Sequence, residues 1–188
     1  DARGNAFGRD YEVSYIDRAS LKRFGPEERR HPTVGADWEF CWGEHRANFV
    51  LERWTVREHG IVIVGPDPKT LIDPISADDL RAAGVSELSA RVEDWAGSGE
   101  PPDWLRPLYY QSFEVETLCR ALCMLKAGKM PTKPKAVEWA LRTLSEPWRG
   151  LVAWSQECRA DKAEDSSRIP EVMEFARGAA RGAGTAHS

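Results

Sequence analysis

The rhythm of apolar and polar positions changes near residue 75. Before that point Tyr11-Glu12-Val13-Ser14-Tyr15-Ile16 alternates, with Tyr11, Val13 and Tyr15 on one side and Glu12 and Ser14 on the other. This predicts a strand with one packed face. Asp17 is placed to cap a short helix running through Phe24 and stopped by Gly25-Pro26. Residues 26–36 are polar and marked by proline and glycine, and read as a loop. Ala47, Val50, Leu51 and Trp54 share a face at helical spacing, predicting a helix from His45 to His59 with Gly60 at its stop. Ile61-Val62-Ile63-Val64 predicts a short, fully apolar strand, closed by the turn Gly65-Pro66-Asp67-Pro68.

Beyond Pro74 the pattern is helical. Ser76 and Asp79 form a capping box that opens a helix, with a break expected near Gly84 and a second cap at Ser86. Leu88, Val92 and Trp95 share the following face, and the stretch from Gly97 to Pro102 reads as a linker. A long helix from Leu108 to Ala127 turns Leu108, Val115, Leu118, Leu122 and Leu125 inward, with Gly128 as its stop. Thr132 precedes a helix carrying Ala136, Val137, Ala140, Leu141 and Leu144. Ser145 and Pro147 open another, carrying Trp148, Leu151, Val152 and Ser155. Pro170 starts the last, with Val172, Phe175 and Ala176 inward and a Gly/Ala-rich end that reads as frayed from Gly178. Strands first and helices after give an α+β fold that continues into a helical bundle.

Composition narrows the function classes. With 26 basic against 30 acidic residues the net charge is −4, so the basic footprint of a nucleic-acid binder is missing and no nucleic-acid partner is expected. The longest clean apolar run, Ile61 to Val64, falls far short of the roughly 20 residues of a membrane helix, and no membrane partner is expected. Cys41, Cys119, Cys123 and Cys158 contain no Cys-x-x-Cys, and the four histidines add no ligand spacing. Buried, reduced thiols in a cytoplasmic protein are therefore expected, with no metal ligands among them. The chain begins at Asp1 and not at methionine, which predicts a native start further upstream.

Nucleotidyl transfer needs paired aspartates to hold magnesium against triphosphate oxygens, and no Asp-x-Asp occurs. Glu114 and Glu116 come nearest, but two residues apart on a helix they diverge by about 200° and cannot grip one ion. Gly97-Ser98 has no strand before it, and Asp78-Asp79 fit the dipole of a first helical turn.

Several pieces, in order and spacing, resemble one family. They are Tyr11-Glu12-Val13-Ser14-Tyr15-Ile16; Arg57-Glu58-His59-Gly60 with the apolar run to Gly65-Pro66; Asp73-Pro74-Ile75-Ser76 with Asp79-Leu80; Leu118-Cys119-Arg120; Gly128-Lys129; Thr132-Lys133; and Glu138-Trp139-Ala140-Leu141. Over residues 10–160 they resemble the aminoglycoside adenylyltransferases of the streptomycin/spectinomycin 3″ type.

The resemblance implies the C-terminal portion of a polymerase-β-like nucleotidyltransferase domain over residues 1–76, an all-α helical bundle over 77–182 and a flexible tail over 183–188. It implies transfer of AMP from ATP to a hydroxyl of an aminoglycoside-like acceptor, with antibiotic resistance as the outcome and a monomer as the acting form. ATP and the acceptor are expected in the cleft between the domains. Mg2+ is expected on aspartates upstream of residue 1, together with the family's Gly-Ser loop, so the 188 residues alone are expected to be inactive.

Glu12 matches the family's general base; a solvated strand face is the alternative. Arg120 and Lys133 match the basic residues on ATP phosphates. For Arg120 the alternative is an ion pair with Glu116 one turn earlier, and for Lys133 an ordinary loop lysine. Trp38 and Trp104 match aromatics that contact the acceptor, with Trp42 able to substitute for Trp38, and a core place is the alternative for each.

The sequence departs from the family at two places. Tyr110, Gln111 and Ser112 stand where acidic residues hold the acceptor's amines, leaving Glu114 as the nearby replacement, and Arg159 stands where a tyrosine lies near adenine. A non-catalytic truncated relic or binding module, or a nucleotidyltransferase with a different acceptor, are the alternative functions. An acidic surface around Glu12, Glu114 and Glu116 would favour an amine-rich acceptor.

Overall fold

The computed structural model describes residues 12–23, 25, 30–35, 39–98 and 101–185. The chain divides into two compact units, Asp1–Ile75 and Ser76–Ser188. Among the described residues no helix is long and apolar enough to cross a membrane.

The first unit runs β1 (Val13–Ser14), α1 (Arg18–Lys22), β2 (Arg30–Val34), β3 (Phe40–Glu44), α2 (Asn48–His59) and α3 (Pro68–Leu71). Its strands form an antiparallel sheet in the order β1-β2-β3, with Val13 opposite Val34 and Thr33 opposite Cys41. Asp17 caps α1 as the sequence predicts, its carboxylate accepting from the N–H groups of Ala19 and Ser20 at 2.9 and 3.0 Å. The helix stops at Lys22 and not at Phe24. Arg53, on α2, closes the free carbonyls at that end: Nε donates to Leu21 O at 2.7 Å and Nη2 to Lys22 O. A buried cluster of His31, His45 and Phe49 fills the space under the sheet end, with ring centroids 4.6 to 5.8 Å apart.

Five expectations for this unit are corrected. The first strand is two residues long, and Tyr15 is exposed, so the alternation records a pleat and not a buried face. Residues 30–34, read as loop, are the central strand. Pro32 serves the sheet through its carbonyl, which accepts from Tyr15 N–H at 2.8 Å, and pairing with residues distant in sequence leaves no local signature. The helical face that α2 buries is Phe49 and Arg53, while Ala47, Val50, Leu51 and Trp54 are only half-buried. Ile61, Ile63 and Val64 are 90%, 87% and 92% exposed and form no strand, because an apolar run makes a strand only where a partner edge receives it. Cys41 is exposed as well, against the expectation of buried thiols, whereas Cys119 and Cys158 are buried.

The second unit is helical: α4 (Ala77–Ser98), a 3-10 turn (Asp103–Leu105), α5 (Leu108–Ala127), α6 (Lys133–Thr143), α7 (Trp148–Glu157) and α8 (Ile169–Thr185). α5 is its axis and packs against α4, α6, α7 and α8. Val115, Leu118 and Cys119 of α5 meet Leu88, Ala136, Ala140, Val152, Val172 and Phe175 in one core. The capping box is complete, with Ser76 N–H donating to Asp79 Oδ2 at 3.0 Å and Asp79 N–H to Ser76 Oγ at 3.1 Å.

The break expected at Gly84 is absent, and α4 is continuous through it. A Cβ on Gly84 would lie 2.4 Å from the Met124 Cε, so glycine there lets α4 and α5 approach closely. The last helix does not fray at Gly178; it continues to Thr185 and buries Ala179 and Ala183, whose small side chains suit a tight interface. Gly128 takes the left-handed conformation at φ 66° and stops α5 as predicted.

Candidate functional site: charged side chains around helix α5

The first turn of α5 has no side-chain cap. The segment after α7 supplies carbonyls instead: Leu108 N–H donates to Ala163 O at 2.9 Å and Tyr109 N–H to Asp161 O at 2.8 Å. This fixes residues 158–165 against α5, and that segment carries Arg159.

Two carboxylates follow on α5, and both are buried. Glu114 Oε2 accepts from Arg91 Nη1 of α4 at 2.7 Å, while its Oε1 is buried without a partner. Burial pushes this carboxyl upward, against the pull of the Arg91 and Lys133 charges. Glu116 faces other partners: Arg159 Nε at 2.8 Å, Gln156 Nε2 at 3.3 Å and Lys133 Nζ at 3.9 Å. The divergence expected for residues two apart on a helix accounts for the separate partner sets.

Lys133, the first residue of α6, places its ammonium 3.4 Å above the centre of the Phe113 ring. Burial draws its titration downward, as do Arg120 and Arg159, while Glu116 and Glu114 act the other way. It is thus no ordinary solvated loop lysine. Arg120 is not paired with Glu116. Its Nε reaches Pro131 O at 3.3 Å, and among the described residues it has no carboxylate partner. Lys133 and Arg159 pair with Glu116, and Arg120 and Arg159 both act on Lys133, so three cations from three segments share one neighbourhood in which Glu114 is already bonded to Arg91. A half-buried arginine without a carboxylate, beside two more cations, is an arrangement that receives a multiply charged anion.

The structure thus brings Glu114, Arg120 and Lys133 into one electrostatic neighbourhood. Trp104 is exposed and meets Tyr110, one turn before Glu114, edge-on at 6.0 Å; it is no core residue. Glu12 belongs to the first unit, where it lies exposed just ahead of β1. Trp42 is exposed on β3, and Trp38 lies outside the described residues. Arg91 carried no sequence signal, since its role depends on how α4 packs on α5. Among the described residues no group of three or more His, Cys, Asp or Glu side chains is placed to hold a metal ion. Glu114 and Glu116 are committed to guanidinium and ammonium groups, so these two carboxylates do not fit a magnesium ion.

Comparison with known proteins gives a consistent result. An aminoglycoside (3'') (9) adenylyltransferase from Escherichia coli is 29% identical over 121 residues, covering 63% of this chain and 42% of the relative. One from Klebsiella pneumoniae is 28% identical over 120 residues, with the same coverage. The matched stretch is less than half the length of either relative. The crystal structure of spectinomycin adenyltransferase AAD(9) from Enterococcus faecialis, with ATP and spectinomycin, shares the fold at a TM-score of 0.69 and 13% identity, over 90% of this chain and 68% of that one. Residues 70–181, which include every charged side chain of the cluster around α5, match the family described as aminoglycoside adenylyltransferase, C-terminal domain, and the chain belongs to that family.

Proposed function

We propose that this chain is the nucleotide-receiving part of an adenylyltransferase that moves AMP from ATP to a hydroxyl of an aminoglycoside-like acceptor. The observation that carries the reading is the gathering of Arg120 and Arg159 at Lys133, with Arg120 lacking any carboxylate partner among the described residues. ATP presents the matching anion, and the solved relative with the same fold holds ATP and spectinomycin.

In the proposed reaction the acceptor oxygen forms a bond to the α-phosphorus of ATP. The bond from that phosphorus to the bridging oxygen breaks, and pyrophosphate leaves with the electron pair. Arg120 and Lys133 hold polyphosphate oxygens and offset the charge that grows on the leaving group. The hydroxyl proton goes to a carboxylate, a role that the family pattern gives to Glu12. Trp104 is assigned to the acceptor as an aromatic contact, and Trp38 likewise from sequence; Glu114, fully buried against Arg91, is not assigned to the acceptor's amines. Magnesium is proposed to bind outside the described residues, and no step here is derived through it. We further propose that the acting form is a cytoplasmic monomer. The 188 residues by themselves are proposed to bind nucleotide without transferring AMP, since the sequence contains no Asp-x-Asp.

Calorimetric titration of the chain with ATP tests the reading. ATP is expected to bind, and Arg120→Ala and Lys133→Ala are each expected to weaken it about tenfold, the scale of a charge-assisted contact to phosphate. A wild-type chain that takes up no ATP overturns the reading.

A further inference from the structure

Arg159 has features that a structural ion pair alone does not explain. It meets Glu116 through Nε at 2.8 Å, while no hydrogen bond from its two terminal Nη groups to a protein group is found among the described residues. Its side chain is half-exposed, so its N–H donors stay open to solvent. The opposing carboxylate is buried and shared with Gln156 and Lys133, which fixes where the guanidinium can sit. The backbone under it is also held, because Asp161 N–H donates to Cys158 O at 3.1 Å and the carbonyls of Asp161 and Ala163 anchor to α5. An anchored arginine with open donors, in electrostatic reach of Lys133, is preorganised for an anion.

We propose that Arg159 is a third phosphate-binding residue, acting with Arg120 and Lys133 on the polyphosphate of the nucleotide, a role that rests on the adenylyltransferase reading. Glu116 is then a positioning residue: it aligns Lys133 and Arg159 while neutralising too little of the cluster to cancel its pull on an anion. This also assigns a task to a position where the sequence departs from the family pattern of a tyrosine. At this point the chain offers charge and hydrogen-bond donors, and its selectivity is expected to lie in the phosphate chain.

Titrations of the full 188-residue chain with inorganic tripolyphosphate, ATP and adenosine separate the possibilities. Arg159→Gln, which keeps a donor for Glu116 and removes the charge, is expected to weaken tripolyphosphate and ATP by about tenfold and to leave adenosine unchanged. Arg159→Lys is expected to restore part of the loss, and Arg142→Ala, on an exposed pair with Glu138, to change nothing. Arg159→Gln binding tripolyphosphate as tightly as wild type overturns the assignment while the adenylyltransferase reading stands. Wild type binding neither ATP nor tripolyphosphate overturns both. Thermal melts of each variant exclude a folding defect as the cause of lost binding.

Discussion

Glu114 and Arg91 share one ion pair but stand in unequal surroundings. The carboxylate is fully buried, whereas Arg91 keeps 29% of its side chain exposed. Removing either partner therefore has different consequences. Arg91→Ala leaves a buried carboxylate with no cation on its bound oxygen and is expected to cost about 3 kcal/mol. Glu114→Gln leaves an arginine that can turn to water and is expected to cost about 1 kcal/mol. Urea denaturation at neutral pH measures both, and equal losses would count against the asymmetry. The penalty in Arg91→Ala should shrink in acid, because a carboxyl pushed upward by burial takes its proton in the folded chain before it does in the unfolded one. The Arg91 partner of Glu114 has no signature in the chain, since a single helix pattern does not reveal a partner on another helix.

Among the elements, α4 shows best how local and tertiary information divide. Its start is written in the chain, because Ser76 and Asp79 bond each other's backbone within four residues. Its continuity through Gly84 is not, because glycine disfavours a helix and only the facing helix supplies a reason to keep it. Gly84→Val is expected to lower stability by about 1–3 kcal/mol by forcing Met124 and Leu125 aside. Gly84→Ala is expected to stay near neutral, as about 1 kcal/mol of helix propensity offsets a milder clash. Thermal melts followed by circular dichroism decide this, and a Gly84→Val chain as stable as wild type would show that the helices need no close approach. The strands behaved oppositely. β2 was hidden by Pro32, and Ile61 to Val64 looked like a strand and is none. Helical signals repeat within a few residues, whereas strand pairing is settled at a distance.

At the scale of the molecule, the two units carry different kinds of buried ionisable group. In the first, His45 is held below its ordinary value of 6.5, by burial first and by the charge of His31 second. The folded state then binds fewer protons than the unfolded state just below that value, so stability rises with pH across the window. The contribution is fully present above pH 6.5 and is lost as pH falls through the depressed folded value. His45→Phe is expected to weaken this acid sensitivity, measured as denaturation midpoints between pH 7.5 and about 5. A variant with an unchanged pH profile would remove His45 as the cause. The second unit, with its single core around α5 and its charge cluster built on the same helices, is the part that matches the family.

The sequence by itself determined the α+β organisation and the helical second part, with its caps at Ser76 and Gly128, through periodicity and local hydrogen bonding. Its motifs also resemble the family that the comparison shows, and they single out Arg120 and Lys133 as candidates. Only the tertiary structure decided what those residues face. It paired Glu116 with Arg159 and Lys133, turned Arg120 to the Pro131 carbonyl, and buried Glu114 against Arg91. The physical reason is range: caps and periodic faces are made within a turn or two of chain, whereas a charge cluster is made by segments tens of residues apart, brought together when their helices share a core.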